Sequence, residues 1–366
     1  LNRVNKIFLT VLGTTIVPLT MHADSNDMSE NTPYQPGEII QEHQLPAGYN
    51  ASASYNSSNR CGVDINANYI YWNWEQPDLK KGELALTSTT ASGSQIGQYI
   101  DPGYASGFQV GLKVDMPSVD HWNLSSQYTW YQNSGNLEVT TDPDHVLRIH
   151  SHITDSLVYG SGTAHYNINM HFNNLDLLLQ RPFYLGTRLF ANIAVGLDSY
   201  WITQKLNSSA TGLLGYTPSS VAIPSTLSAE LNTKAWSLGP KFGLNTHWML
   251  GCGISALANI SSSLVYTRYY DMSINSSVTY SSSTVSNVID SDPNNLNTLR
   301  PVTQMFLGLG WNRGFGDDNY RFGLSAGWDF KLLWNYSMID FTTTNGNSGS
   351  DNLSLNGLNI QASFDF

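Results

Sequence analysis

Apolar and polar residues alternate with a period of two along most of the chain beyond position 62. Val63, Ile65, Ala67, Tyr69 and Tyr71 fall on one face, and Asp64, Asn66 and Asn68 on the other. That period belongs to a strand, whose successive side chains point to opposite sides. The same pattern returns at Phe108, Val110, Leu112, Val114 and Met116, opposite Gln109, Gly111, Lys113 and Asp115, and again at Trp122, Leu124, Ser126, Tyr128 and Trp130. Ala164 to Phe172 repeats it at even positions, Leu185 to Leu197 at odd ones, and Trp236 to Leu244 and Leu250 to Ile260 at even ones. Met305 to Trp311, Tyr320 to Leu332 and Leu358 to Phe366 complete about ten segments, each near the length that a tilted strand needs to cross a bilayer. Weaker alternation in Glu83 to Ser88 and in 136–149 widens the range to ten to fourteen strands.

The connections between these segments sort by length. Short ones at 117–120, 173–183, 245–247 and 312–319 alternate with long ones at 75–104, 133–155, 200–231, 271–299 and 336–353. A β-sandwich has no reason to alternate its loops in this way, whereas an outer-membrane barrel has short periplasmic turns and long external loops. Aromatic residues cluster at the strand ends, where a membrane strand meets each interface. Trp122, Phe183, Tyr184, Trp248, Trp311 and Tyr320 adjoin short connections; Tyr71, Trp72, Trp130, Tyr200, Trp201, Tyr269, Tyr270 and Trp334 adjoin long ones. The pattern predicts an all-β fold, a transmembrane up-and-down antiparallel β-barrel of about ten strands. Phe366, at the end of the last alternating segment, is the expected assembly signal, read by the barrel-insertion machinery.

Composition sharpens this reading. Charged residues make up 12% of the chain, about half the usual share in soluble proteins. A helix bundle is excluded by a mean hydropathy of -0.23 and by the lack of any apolar run of about 18 residues. Arg3 and Lys6 precede an apolar run from Ile7 to Leu19, with Ala23 at a cleavage position, which predicts a signal peptide over 1–23. The Ser-, Asn- and Pro-rich stretch 24–60 reads as a flexible periplasmic segment and 61–366 as the barrel, in the outer membrane of a bacterium with lipid as its main partner. The net charge of -11, without basic runs, argues against nucleic acid.

Polar faces of the strands must look into the barrel. They assign Asp64, Lys113, Asp115, Arg188, Asp198, Lys241, Arg321, Asp329 and Lys331 to the lumen as pore-lining residues, together with His165 and His171. A charge at mid-bilayer on the other face would cost about 2–4 kcal/mol. A lumen of mixed charge suits a channel for small solutes without strong ion selectivity. The rival is a closed barrel that anchors surface loops for adhesion or host-cell interaction. Asp142, Asp144, His145, His150, His152 and Asp155 form a polar cluster in one external loop, but no recognised catalytic motif accompanies it. No enzyme activity, cofactor or metal is therefore expected.

The stretches LDLLLQRPFYLGTRLFANIAVG (175–196), AWSLGPKFGLNTHWMLGCGISALANISSSLVY (235–266), QMFLGLGWN (304–312), RFGLSAGWDFKLLW (321–334) and LNGLNIQASFDF (355–366) resemble the Legionella-type major outer membrane protein family, with relatives in chlamydia-like bacteria. The resemblance spans roughly Cys61 to Phe366. It implies an abundant, surface-exposed outer-membrane porin, a passive diffusion channel for small hydrophilic solutes and ions, and brings no catalytic residues. It also implies disulfide cross-linking in the envelope, for which Cys61, just outside the first strand, is the candidate interchain thiol. Cys252 is expected on the apolar face of the seventh strand, as a buried and inert thiol.

Overall fold

A computed structural model describes residues 62–76, 85–89, 95–98, 100–116, 122–140, 145–150, 157–160, 162–185, 188–216, 222–280, 283–290, 297–315, 320–337 and 351–366. The expected signal peptide, the 24–60 segment and Cys61 lie outside these residues. The strands are β1 (Val63–Glu75), β2 (Ala85–Thr89), β3 (Gln95–Gln98), β4 (Tyr104–Met116), β5 (Trp122–Thr140), β6 (His145–His150), β7 (Leu157–Gly160), β8 (Thr163–Tyr184), β9 (Leu189–Tyr216), β10 (Ala222–Gly251), β11 (Ile254–Tyr280), β12 (Ser283–Asp290), β13 (Asn297–Phe315), β14 (Tyr320–Ser337) and β15 (Asp351–Asp365).

Ten of them close a ring of antiparallel neighbours, β1–β4–β5–β8–β9–β10–β11–β13–β14–β15 and back to β1. The closing seam pairs Ile65 with Phe364 and Tyr69 with Ile360, and Val63 and Phe366 exchange backbone hydrogen bonds of 2.9 and 3.0 Å. Closure satisfies the backbone amides internally, as hydrocarbon requires. The other five strands stand outside the ring. β2 pairs with β3 and β6, β6 with β7, β7 with β9, and β12 with β11. The expected hairpin in 75–104 exists as β2–β3 without raising the ring above ten, whereas in 136–149 residues 136–140 continue ring strand β5 and 145–149 belong to β6, whose hairpin partner is β7.

Apolar residues at alternate positions look outward and remain exposed on the isolated chain: Leu177 43%, Leu197 47%, Phe242 63%, Ile260 54% and Leu309 59%. A surface of this kind is stable only against lipid. On β10 the outward apolar run goes from Trp248 through Leu244, Phe242 and Leu238 to Trp236, then gives way to Lys234, Asn232 and Glu230. β10 has 30 residues and β9 has 28, whereas about 11 suffice to cross. The strands on this side continue well past the lipid band. Polar pairs mark the change of medium on the outer wall, Lys205–Glu230 at 2.6 Å and Lys234–Asp271 at 2.7 Å.

Several connections fall elsewhere than the sequence suggested. Strand β8 runs unbroken through the expected turn at 173–183, and β10 runs through 245–247. The β10–β11 turn is made instead by Gly251, Cys252 and Gly253, all with positive φ (119°, 52° and 78°). Glycines tolerate that conformation and flank the one residue that pays for it. Cys252 is thus exposed at a turn tip, not buried on a lipid-facing strand. The apolar alternation continued from Trp236 to Ile260 on even positions across the turn, so periodicity alone hid it.

Candidate functional site in the barrel lumen

Inward residues divide the lumen into three levels. Next to the short turns lies a cavity of about 820 Å³, bordered by polar side chains and reaching the rim at Asp115, Arg321, Asp365 and Phe366. Above it, side chains bond across the ring. Lys331 Nζ on β14 donates to Asn174 Oδ1 on β8 at 2.8 Å, and these strands are diametrically opposite among the ten. Lys241 lies 3.0 Å from Asp176 and 3.8 Å from Asp198, and donates to Gln304 at 3.0 Å. Asp198 also accepts from Ser263 at 2.7 Å, Asn174 at 2.8 Å and the Tyr200 hydroxyl at 2.5 Å. Gln304 in turn donates to Tyr200 Oη at 2.8 Å. The ammonium of Lys331 sits 5.2 and 5.4 Å from the ring centroids of Phe172 and Tyr200, a cation–π geometry.

The third level is apolar. Ile70, Trp72, Trp74, Tyr131, Met170, Phe172, Ile202, Tyr269, Val302, Leu333, Leu353 and Leu355 all belong to one buried cluster. Their register places them on the inward face: Ile70 opposite Gly107, Tyr131 opposite Phe172, Val302 opposite Leu333. Trp72 is 1% exposed and Tyr131 0%, although inward residues of a water-filled pore would keep water contact. Two hydroxyls among them find backbone partners, Tyr131 Oη donating to Trp72 O at 2.8 Å and Tyr269 Oη to Tyr336 O at 2.9 Å. Burial in such a layer requires this.

Eight of the nine expected lumen residues do face inward, but at different depths. Asp64, Lys113 and Asp115 cluster near the rim, with Lys113 3.5 Å from Asp64 and 3.9 Å from Asp115, and Arg321 and Asp365 are opposed in register nearby. Asp198, Lys241 and Lys331 are buried at mid-wall, where Asp329 accepts from Asn359 at 2.6 Å. Arg188 is the exception: it sits exposed in the β8–β9 turn, beyond the end of the alternation. His165 and His171 look outward rather than inward, and His165 approaches Glu138 at 3.7 Å on the outer wall. Taking every apolar face as lipid-facing is what points them inward. On the outer half of β8 the apolar set Ala164, Tyr166, Ile168, Met170 and Phe172 fills the lumen instead. Sequence reasoning also missed Asp176 and Asn174, which lie in an expected turn. Of the 141–155 cluster, His145 and His150 fall in β6, and Asp142, Asp144, His152 and Asp155 lie outside the described residues.

Residues 57–366 match the family described as the Legionella pneumophila major outer membrane protein precursor. The chain belongs to that family. Membership puts it among outer-membrane proteins. No curated protein matches it. Among solved structures, this family member is similar to the outer membrane protease OmpT from Escherichia coli, with 10% identity, a TM-score of 0.40, and coverage of 83% of this chain and 96% of that one. It is also similar to the outer membrane protein OprG from Pseudomonas aeruginosa, with 10% identity, a TM-score of 0.22, and coverage of 83% and 96%. The toluene transporter TodX of Pseudomonas putida matches at 9% identity and a TM-score of 0.22, over 83% of this chain and 89% of that one.

Proposed function

We propose that this outer-membrane protein is a barrel held shut at mid-wall, whose role is to raise a β-structured outer face above the membrane for contact with the cell's surroundings. The observation that carries this reading is the Lys331–Asn174 hydrogen bond of 2.8 Å between opposite walls, beneath a layer of buried rings. The long β9, β10 and β11 and the outer strands β6, β7 and β12 supply the elevated surface. A passive porin for small hydrophilic solutes is the second reading. It is favoured by the polar cavity of about 820 Å³, which forms half of a conduit, and it requires the mid-wall layer to open. Purified, refolded chain in a planar bilayer separates the two. The sealed barrel gives a silent bilayer while its heat-modifiable gel mobility attests folding; discrete ohmic steps from the unmodified protein would establish the porin and end the first reading.

A further inference from the structure

The cavity beneath the seal is lined by two facing walls of side-chain amides. On one side Asn192 of β9, Asn245 of β10 and Asn259 of β11 are register partners in a single row. Across the lumen, β15, β1 and β4 place Gln361, Asn68 and Gln109 in another row, Asn68 opposite both of the others. All six residues border the cavity. Between these walls the ring places β5 and β8 on one side and β13 and β14 on the other.

Each wall is held in place by its own bonds. Gln109 Oε1 accepts from Asn68 at 2.9 Å, Gln127 at 3.2 Å and Asn359 at 3.3 Å, and Asn192 donates to Gln180 at 2.7 Å. Glycines leave room for polar side chains to lie against the backbone. A Cβ at Gly111 would come within 2.6 Å of the Asn66 amide, and one at Gly323 within 2.5 Å of both Asn312 Oδ1 and Ser363 Oγ. Charge on the lining gathers toward the ends of the cavity: the Asp64, Lys113, Asp115, Arg321 and Asp365 group at the rim, and at the floor Lys241 paired with Asp176, Lys331 bonded to Asn174, and Asp329 bonded to Asn359.

From this arrangement we infer that the cavity is a blind cup, open on the short-turn side, that binds a neutral polyhydroxylated ligand, a short oligosaccharide. An amide both donates and accepts, which matches a hydroxyl group that does the same. Rows of neutral amides on opposite walls address both edges of a sugar ring, and Phe190 and Phe306 on the same lining offer it apolar faces. A metal ion does not fit this construction, because ligand oxygens must converge within about 2.6 Å of it. The amide rows stand on opposite sides of the ring, and among the described residues no group of three His, Cys, Asp or Glu side chains is placed to hold a metal. The cavity volume lies in the range of small-molecule sites. The inference uses the seal only as the floor of the cup.

Calorimetric titration of the full refolded chain in detergent with maltotriose tests this. Saturable binding is expected, weakened about fivefold to tenfold in Asn245→Leu, the loss of roughly one hydrogen bond. Glucuronate and glucosamine at equal concentration should compete poorly. No saturable heat at tens of millimolar sugar overturns the proposal, as does equal affinity in wild type and Asn245→Leu when both show heat-modifiable folding. Stronger binding of either charged sugar overturns the ligand class. A conducting wild-type barrel that still binds maltotriose would end the sealed-barrel reading and with it the closed floor, but leave the sugar site standing, whereas a silent barrel without binding does the reverse.

Discussion

A single buried cation decides much of the lumen's energetics. Lys241 is 4% exposed and is the nearest positive charge to Asp176 and Asp198, which lie opposite one another in register on β8 and β9. Two carboxylates cannot share a low-dielectric interior without a counter-charge, so removing one partner costs about 3–5 kcal/mol. Lys241→Ala should therefore lower the urea midpoint of the refolded barrel sharply, and the double change with Asp176→Asn should recover part of the loss. Single and double variants that shift the midpoint equally would deny the coupling. Backbone proximity sets another limit at residue scale. A Cβ at Gly196 would fall 2.0 Å from Leu177 O on the neighbouring strand. Gly196→Ala must push β8 and β9 apart, an overpacking cost of about 1–3 kcal/mol, and a lowered urea midpoint is the expected reading.

At the scale of elements, the closing seam carries a testable load. The β15–β1 pairing ends with the Val63–Phe366 hydrogen bonds, and the Phe364 ring contacts Phe315, Tyr320 and Phe366 with centroids 5.9–6.2 Å apart. Phe366→Ala should reduce the yield of assembled barrel in the outer membrane, scored by heat-modifiable mobility; an unchanged yield would remove the role expected of that ring. All ten ring strands were legible in the sequence, nine of them because on the membrane half the lipid face is mostly apolar and the lumen face mostly polar, as on β1, β4 and β15, and β8 from the alternation of its outer half alone. The turns were less so. Leu175, Leu177 and Leu179 extend the outward face of β8 through a stretch rich in Asn, which reads as a loop until Asn173 and Asn174 are seen on opposite faces. The outer half of β8 misled for the converse reason. Lipid and a packed interior select the same residues, so alternation gives the two faces but not which of them looks inward.

For the whole molecule the question is whether charge or packing keeps the lumen shut. The Lys331–Asn174 bond ties opposite walls, but it lies under rings that are inaccessible to water on their own account, Trp72 and Phe172 among them. Buried polar pairs can often be exchanged for apolar side chains of like volume at little cost, whereas deleting large rings leaves a void that the wall cannot close. If packing is the seal, Lys331→Met with Asn174→Leu should remain silent in a planar bilayer, because the volume across the ring is kept. Trp72→Ala with Phe172→Ala should instead admit ions, since the polar cavity below would then extend past mid-wall toward the external end. Conduction by the Met/Leu variant with silence of the double alanine would assign the seal to the charged layer. In either case the barrel wall itself, bonded strand to strand around all ten positions, has no part in the gate, and both variants should retain the heat-modifiable mobility of the closed ring.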